Sequence, residues 1–181
     1  MPISMRRAAL AVALAAAAPA LAATGAAAQD QQAPRLEKKA THGAWDVVCA
    51  PNGACAMTQT GKSPDGQDML KVTLRKVPEV TADSGQTVDT VFVAVSPLGV
   101  MLRAGMALQV DGGQVERLPY EACDRGGCIV QTLVLPKFVD NFKKGVTATF
   151  TLTIPGNKQV STDISLSGFT AAYNSLKAPQ Q

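Results

Sequence analysis

Between Val146 and Leu166 the chain alternates apolar and polar residues almost without exception. Val146, Ala148, Phe150, Leu152 and Ile154 are separated by Thr147, Thr149, Thr151 and Thr153, and Val160, Thr162, Ile164 and Leu166 by Ser161, Asp163 and Ser165. Successive side chains of a strand point to opposite faces, so this period of two specifies two strands, each with one apolar and one wet face. Parity then fixes the turn. A two-residue loop would set Phe150 opposite Ser161 and mix the faces. A three-residue loop of Pro155-Gly156-Asn157 sets Phe150 opposite Thr162 and Ala148 opposite Ile164, with Asn157 left-handed.

The same period recurs upstream. Trp45, Val47 and Cys49 alternate with Asp46 and Val48, and after a turn the chain returns from Cys55 to Thr60. Residues 61–67 read as loop around Pro64-Asp65-Gly66. Leu70, Val72 and Leu74 then oppose Lys71, Thr73 and Arg75, the pattern of a strand wet on one side. Residues 78–87 read as a polar link. Residues 91–95 and 129–135 are apolar on both faces, as in a central strand. Between them, Val100, Leu102, Met106, Leu108 and Val110 sit at period two. The Asp111-Gly112-Gly113 triplet predicts a hairpin with Val110 opposite Val115 across Gly112-Gly113.

Two segments depart from this pattern. In residues 136–145, Phe138, Val139 and Phe142 follow Pro136 and precede Lys143, Lys144 and Gly145, which are helix start and stop signals. After Gly168, Phe169, Ala172, Tyr173 and Leu176 fall at i, i+3, i+4 and i+7, predicting a short helix docked over an open end of the β core. The expected fold is all-β, an antiparallel β-sandwich of about nine or ten strands with one or two short helices.

Arg6 and Arg7 precede an apolar, alanine-rich run and small residues to Ala28, the order of a secretory signal peptide cleaved after Ala22 or Ala28. Residues 29–42 lack apolar periodicity and read as a flexible N-terminal tail, residues 43–176 as one domain, and residues 177–181 as a loose C-terminus. No further segment is apolar enough for a membrane-spanning helix. Removing residues 1–28 takes away two arginines and no acid, leaving 15 basic against 14 acidic side chains. A near-neutral chain with 4% aromatic residues gives no reason to expect nucleic acid, a polyanion or a strongly anionic membrane surface as partner.

An exported chain with four cysteines reads as a disulfide framework. Cys49 and Cys55 flank a turn-rich loop, and Cys123 and Cys128 flank Asp124-Arg125-Gly126-Gly127, so proximity pairs each locally.

Catalytic chemistry has little to work with. His42 is the single histidine and lies at the edge of the expected tail, leaving a serine–histidine–acid triad no rigid place. The cysteine spacings are wider than those of zinc ribbons, and no cofactor signature is present. Arg125 beside Cys123 and Cys128 raises a redox reading, against which stand four intervening residues and a β context. Asp65, Asp68, Asp83, Asp89, Asp111 and Asp124 read as turn or loop residues, and Asp163 lies mid-strand on the polar face. The expectation is a protein that is not an enzyme and has no catalytic, cofactor or metal residues.

Several words in the chain go further. Pro97-Leu98-Gly99-Val100, Leu102, Gly105, residues 108–113, Leu118-Pro119-Tyr120, Cys123 and Gly126-Gly127-Cys128 resemble the invasion associated locus B family of bacterial envelope proteins. Trp45-Asp46-Val47 with Cys49 and Cys55 resembles that family's opening, and Ser165-Leu166-Ser167-Gly168-Phe169 with Ala172 its close. The resemblance covers roughly residues 43–176 and carries no catalytic signature. It implies a periplasmic or outer-membrane protein, linked in some host-associated bacteria to invasion of host cells, with a protein partner in the envelope or on a host cell. A binding or adaptor module predicts an exposed apolar patch. A small-ligand carrier predicts a cavity between the sheets. An envelope housekeeping role fits the same residues.

Overall fold

The computed structural model describes residues 36–82 and 84–177; the expected signal peptide, residues 29–35 of the expected tail, the expected loop residue Asp83 and residues 178–181 lie outside them. Seven strands form one antiparallel sheet: β1 (Glu37–His42), β2 (Trp45–Cys49), β3 (Cys55–Lys62), β4 (Asp68–Thr81), β5 (Thr87–Ser96), β8 (Ala122–Asp124) and β9 (Gly127–Leu133), in the order β1-β2-β3-β4-β5-β9-β8. Four form the second: β6 (Met106–Val110), β7 (Glu116–Leu118), β10 (Thr147–Ile154) and β11 (Lys158–Ser165), in the order β11-β10-β6-β7. Helices α1 (Pro136–Lys144) and α2 (Phe169–Ser175) complete the β-sandwich, together with a 3-10 turn at Leu102–Ala104.

The alternation seen in the sequence becomes the core. Met57, Val72, Leu74, Phe92, Ala94 and Val130 of the larger sheet face Met106, Leu108, Ala148, Phe150 and Ile164 of the smaller one, all at most 2% exposed. Phe92 stacks on Phe150 with ring centroids 6.1 Å apart, bridging the sheets. The larger sheet is the wider, and α2 covers the part that the smaller one leaves open. Phe169 packs edge-on against Trp45 at 5.3 Å, and the Trp45 indole N–H donates to the Ser165 carbonyl at 2.9 Å.

The β10–β11 hairpin has the register that parity demands, with Phe150 opposite Thr162, Ala148 opposite Ile164, and Asn157 left-handed at φ 58°. Both helices lie where their signals put them. Gly145 ends α1 with φ −78°, so it is not there for left-handed geometry. A Cβ on it would meet Val110 Cγ1 at 2.5 Å and Leu166 Cδ1 at 2.8 Å, and close approach is the reason for its smallness.

Four expectations need correction. Residues 37–42 are not tail but strand β1, paired with β2 from His42–Trp45 to Glu37–Cys49. An edge strand is held by backbone hydrogen bonds and shows no apolar period when both its faces are wet. The polar link is shorter than expected, because β4 runs to Thr81 through an irregularity between Lys76 and Val80, which takes in Pro78. Residues 100–104 form a loop with the 3-10 turn, not a strand, and the β6–β7 hairpin sets Leu108 opposite Glu116. Its turn lies one residue earlier than expected, with Asp111 and Gly112 at positive φ and the Gly113 N–H donating to the Val110 carbonyl at 2.8 Å. Val115 is left exposed. Eleven strands lie among the described residues.

Candidate functional site

The four cysteines are brought together in the two local pairs. Cys49 opposes Cys55 across β2–β3 and Cys123 opposes Cys128 across β8–β9, each with Cα atoms 4.0 Å apart and the sulfurs bonded. Cys49 and Cys128 point into the core, while Cys123 is exposed. Both bonds staple hairpins of the larger sheet. No group of three His, Cys, Asp or Glu side chains among the described residues converges to hold a metal ion. His42 is half-buried at the end of β1.

Asp89 is in mid-strand on β5, not in a loop, and it joins the densest polar cluster. Lys76 donates to Asp89 and, at 2.8 Å, to the Tyr173 hydroxyl, while the Thr90 hydroxyl donates to Asp89 Oδ1 at 2.7 Å. Tyr173 and Thr90 are 2.7 Å apart, so with the Thr90 proton committed to Asp89 the phenol donates to Thr90. Burial works against the charge on Lys76, and its bonds to Asp89 and Tyr173 more than offset this, raising its pKa. Burial likewise opposes ionisation of Asp89, and the bonds from Lys76 and Thr90 outweigh it, lowering its pKa. An ammonium and a carboxylate so stabilised as a pair supply neither a free base nor an acid near neutral pH. The ring anchors α2 to β4 and β5. Beside it lies a polar cleft of about 360 Å³, rimmed by Glu79, Asp140 and Lys143, with the Lys143 ammonium 4.9 Å from the Tyr173 ring centroid.

The outer face of the larger sheet has a different character. Register places Lys71, Val95 and Ile129 in one cross-strand row, Thr73, Val93 and Gln131 in the next, and Arg75, Val91 and Leu133 in a third. On β4 this face is polar, as expected for a wet sheet. On β5 and β9 it is mostly valine, isoleucine and leucine, with Val91 buried, Val93, Val95 and Ile129 half-buried and Leu133 exposed. Lys71 and Arg75 flank that strip, and neither makes an ion pair among the described residues.

The profile of the invasion associated locus B (IalB) protein matches residues 45–177. The chain belongs to the invasion associated locus B family. Among solved structures, it is similar to the invasion associated protein B of Bartonella henselae, with 23% identity and a TM-score of 0.59 over 77% of this chain and 94% of that one. At that identity the likeness speaks for the fold. No curated protein sequence matches.

Within this member of the invasion associated locus B family, the loop of residues 97–104 marks the end of the sandwich away from the helices. An apolar groove of about 260 Å³ opens there, lined by Met69, Pro97, Leu98, Leu152, Ile154 and Val160 among others. Asp111 also forms a latch that has no sequence signature. Its carboxylate accepts the backbone N–H groups of Val146 and Thr147 at 2.8–3.1 Å, and its own N–H donates to Thr147 O at 3.0 Å. An Asp-Gly-Gly triplet is sufficient reason for a turn, so a second role 35 residues away leaves no local signal. No helix among the described residues is long and apolar enough to cross a membrane.

Proposed function

We propose that the protein is exported to the bacterial envelope and acts there, without catalysis, by docking a protein partner on the outer face of β5 and β9. One observation carries this reading. Over residues 91–95 β5 is apolar on both faces, yet on the outer one Val93 and Val95 are only half-buried and form an apolar strip with Ile129 and the exposed Leu133 of β9. An element about 10 Å wide would lie across two strands spaced about 4.8 Å apart, with Lys71 and Arg75 meeting acidic side chains on its flank. The two disulfides and the family support export. The carrier reading needs an empty apolar space between the sheets, which Phe92, Phe150 and their neighbours occupy.

A photo-crosslinking residue at Gln131, in the middle row of the strip, tests the docking face in cells. The expected result is one discrete protein adduct that is lost in Lys71→Glu/Arg75→Glu and in Val93→Lys, while unfolding of these variants is unchanged. Adducts indifferent to all three substitutions would sink the reading. A role in host-cell invasion is the further part of the proposal. Protease digestion of the native protein on intact cells would place this face within reach of host molecules; protection until the outer membrane is permeabilised would remove direct host contact.

A further inference from the structure

We infer that the loop of residues 97–104 is a contact for an anionic phospholipid surface, separate from the docking strip. Three large aliphatic side chains stand out from this one loop: Leu98 is 60% exposed, Met101 41% and Leu102 50%. Their exposure is not the result of slack. The Met101 N–H donates to the Thr153 carbonyl of β10 at 2.8 Å, and the Ala104 and Gly105 N–H groups donate back to Met101 and Leu102 within the turn. The loop is therefore held in the conformation that presents them, and little ordering entropy remains to be lost on contact. The apolar groove beside Leu98 continues the same surface.

Charge decides the occupant. Arg103 is exposed within the turn, and Arg117 on β7 donates to the Ala104 carbonyl at 3.1 Å, so a second guanidinium sits at the turn's end. Neither arginine makes an ion pair among the described residues. Lys158 adds a third cation at the start of β11, opposite Ile154 of the groove wall. Of the acids nearby, Asp68 on the groove rim pairs with Lys62 at 2.6 Å, Asp65 in the same loop accepts from the Ser63 hydroxyl, and Glu116 lines the groove under α1. Exposed aliphatic side chains next to arginines match the boundary between acyl chains and phosphate headgroups. The near-neutral balance of the whole chain does not reveal this, because the cations are local to one end.

Flotation of the disulfide-bonded protein, lacking residues 1–28, with vesicles tests the inference, using phosphatidylcholine alone and phosphatidylcholine with phosphatidylglycerol. Binding is expected to the mixed vesicles, weakening as salt is added, and little to the neutral ones. Arg103→Gln should weaken binding about fivefold, the effect of one basic residue at an anionic surface. Leu98→Gln/Leu102→Gln should weaken it at least as much, and both variants should keep the unfolding temperature of the parent because the side chains replaced are exposed. Equal binding to neutral and anionic vesicles, binding unaffected by these substitutions, or no binding to either vesicle would each overturn the inference. So would a protein adduct captured at residue 102 in place of lipid. None of those results touches the Gln131 crosslink, so the two proposals fail separately.

Discussion

Replacing Gly168 by alanine should be among the more damaging single-methyl additions to this protein. Gly168 caps α2 with φ +82°, and a Cβ there would lie 2.1 Å from the His42 carbonyl oxygen and 2.7 Å from the Gly43 nitrogen. Both neighbours are backbone of the β1–β2 turn, so no side chain can swing away. The left-handed conformation costs an alanine about 1 kcal/mol or slightly more. Opening the contact to an ordinary separation requires more than an ångström of backbone movement, and overpacking of this kind costs roughly 1–3 kcal/mol. Together they give roughly 2–4 kcal/mol, and at roughly 2–4 °C per kcal/mol the melting temperature should fall by about 5–15 °C. Gly66→Ala is the control. Gly66 has φ +83° but nothing within 4 Å of its Cβ position, so it reports the conformational cost alone. The entropy that alanine removes from the unfolded chain is common to both and cancels in the difference. Urea unfolding of both variants with disulfides intact gives the comparison. Gly168→Ala no worse than Gly66→Ala would refute the claim that the α2 cap is locked against the β1–β2 turn.

The polar ring and the staples give three further expectations. Tyr173→Phe removes the phenol that links Lys76 to Thr90 and should cost about 1–3 kcal/mol in urea unfolding at neutral pH. The stability owed to Asp89, whose folded pKa is lowered, is present above the ordinary carboxylate value of 3.8 and is lost as pH falls through the folded value, whereas that of Lys76, whose folded pKa is raised, is lost only as pH rises beyond 10.5. Asp89→Asn should therefore flatten part of the acid limb of a stability–pH curve; an unchanged limb would count against the ring. Replacing either cysteine pair by serines closes one short loop fewer and should cost roughly 2 kcal/mol by the chain-entropy relation, with the double replacement near the sum because the staples are in different hairpins. A native fold lost on removing a single pair would show that the staples do more than pin local geometry.

What could be read from the sequence was whatever is periodic or locally closed. Phe150 and Thr162 found each other because alternation and loop length together admit one register. The helices declared themselves by Pro136 and by the spacing of Phe169, Ala172 and Tyr173, and the cysteine pairs by the short loops that they close. Family membership was legible in scattered words such as Trp45-Asp46-Val47 and Gly126-Gly127-Cys128. β1 was not, because backbone pairing at a sheet edge needs no side-chain pattern. The β6–β7 register was misjudged because the choice between turning at Asp111-Gly112 and at Gly112-Gly113 depends on Asp111 holding Val146 and Thr147. The candidate surfaces divide in the same way. The apolar double face of β5 is written in residues 91–95, but that Val93 and Val95 on its outer side are only half-buried, and that Lys71 and Arg75 flank them, depends on strand order. Val100 and Leu102 read as strand, whereas the chain there is a loop from which Leu98, Met101 and Leu102 stand exposed. A sequence records the preference of each residue for its immediate neighbours and for apolar or wet surroundings. Which distant groups meet, and which apolar side chains are left without cover, is decided only when two sheets of unequal width are laid on one another.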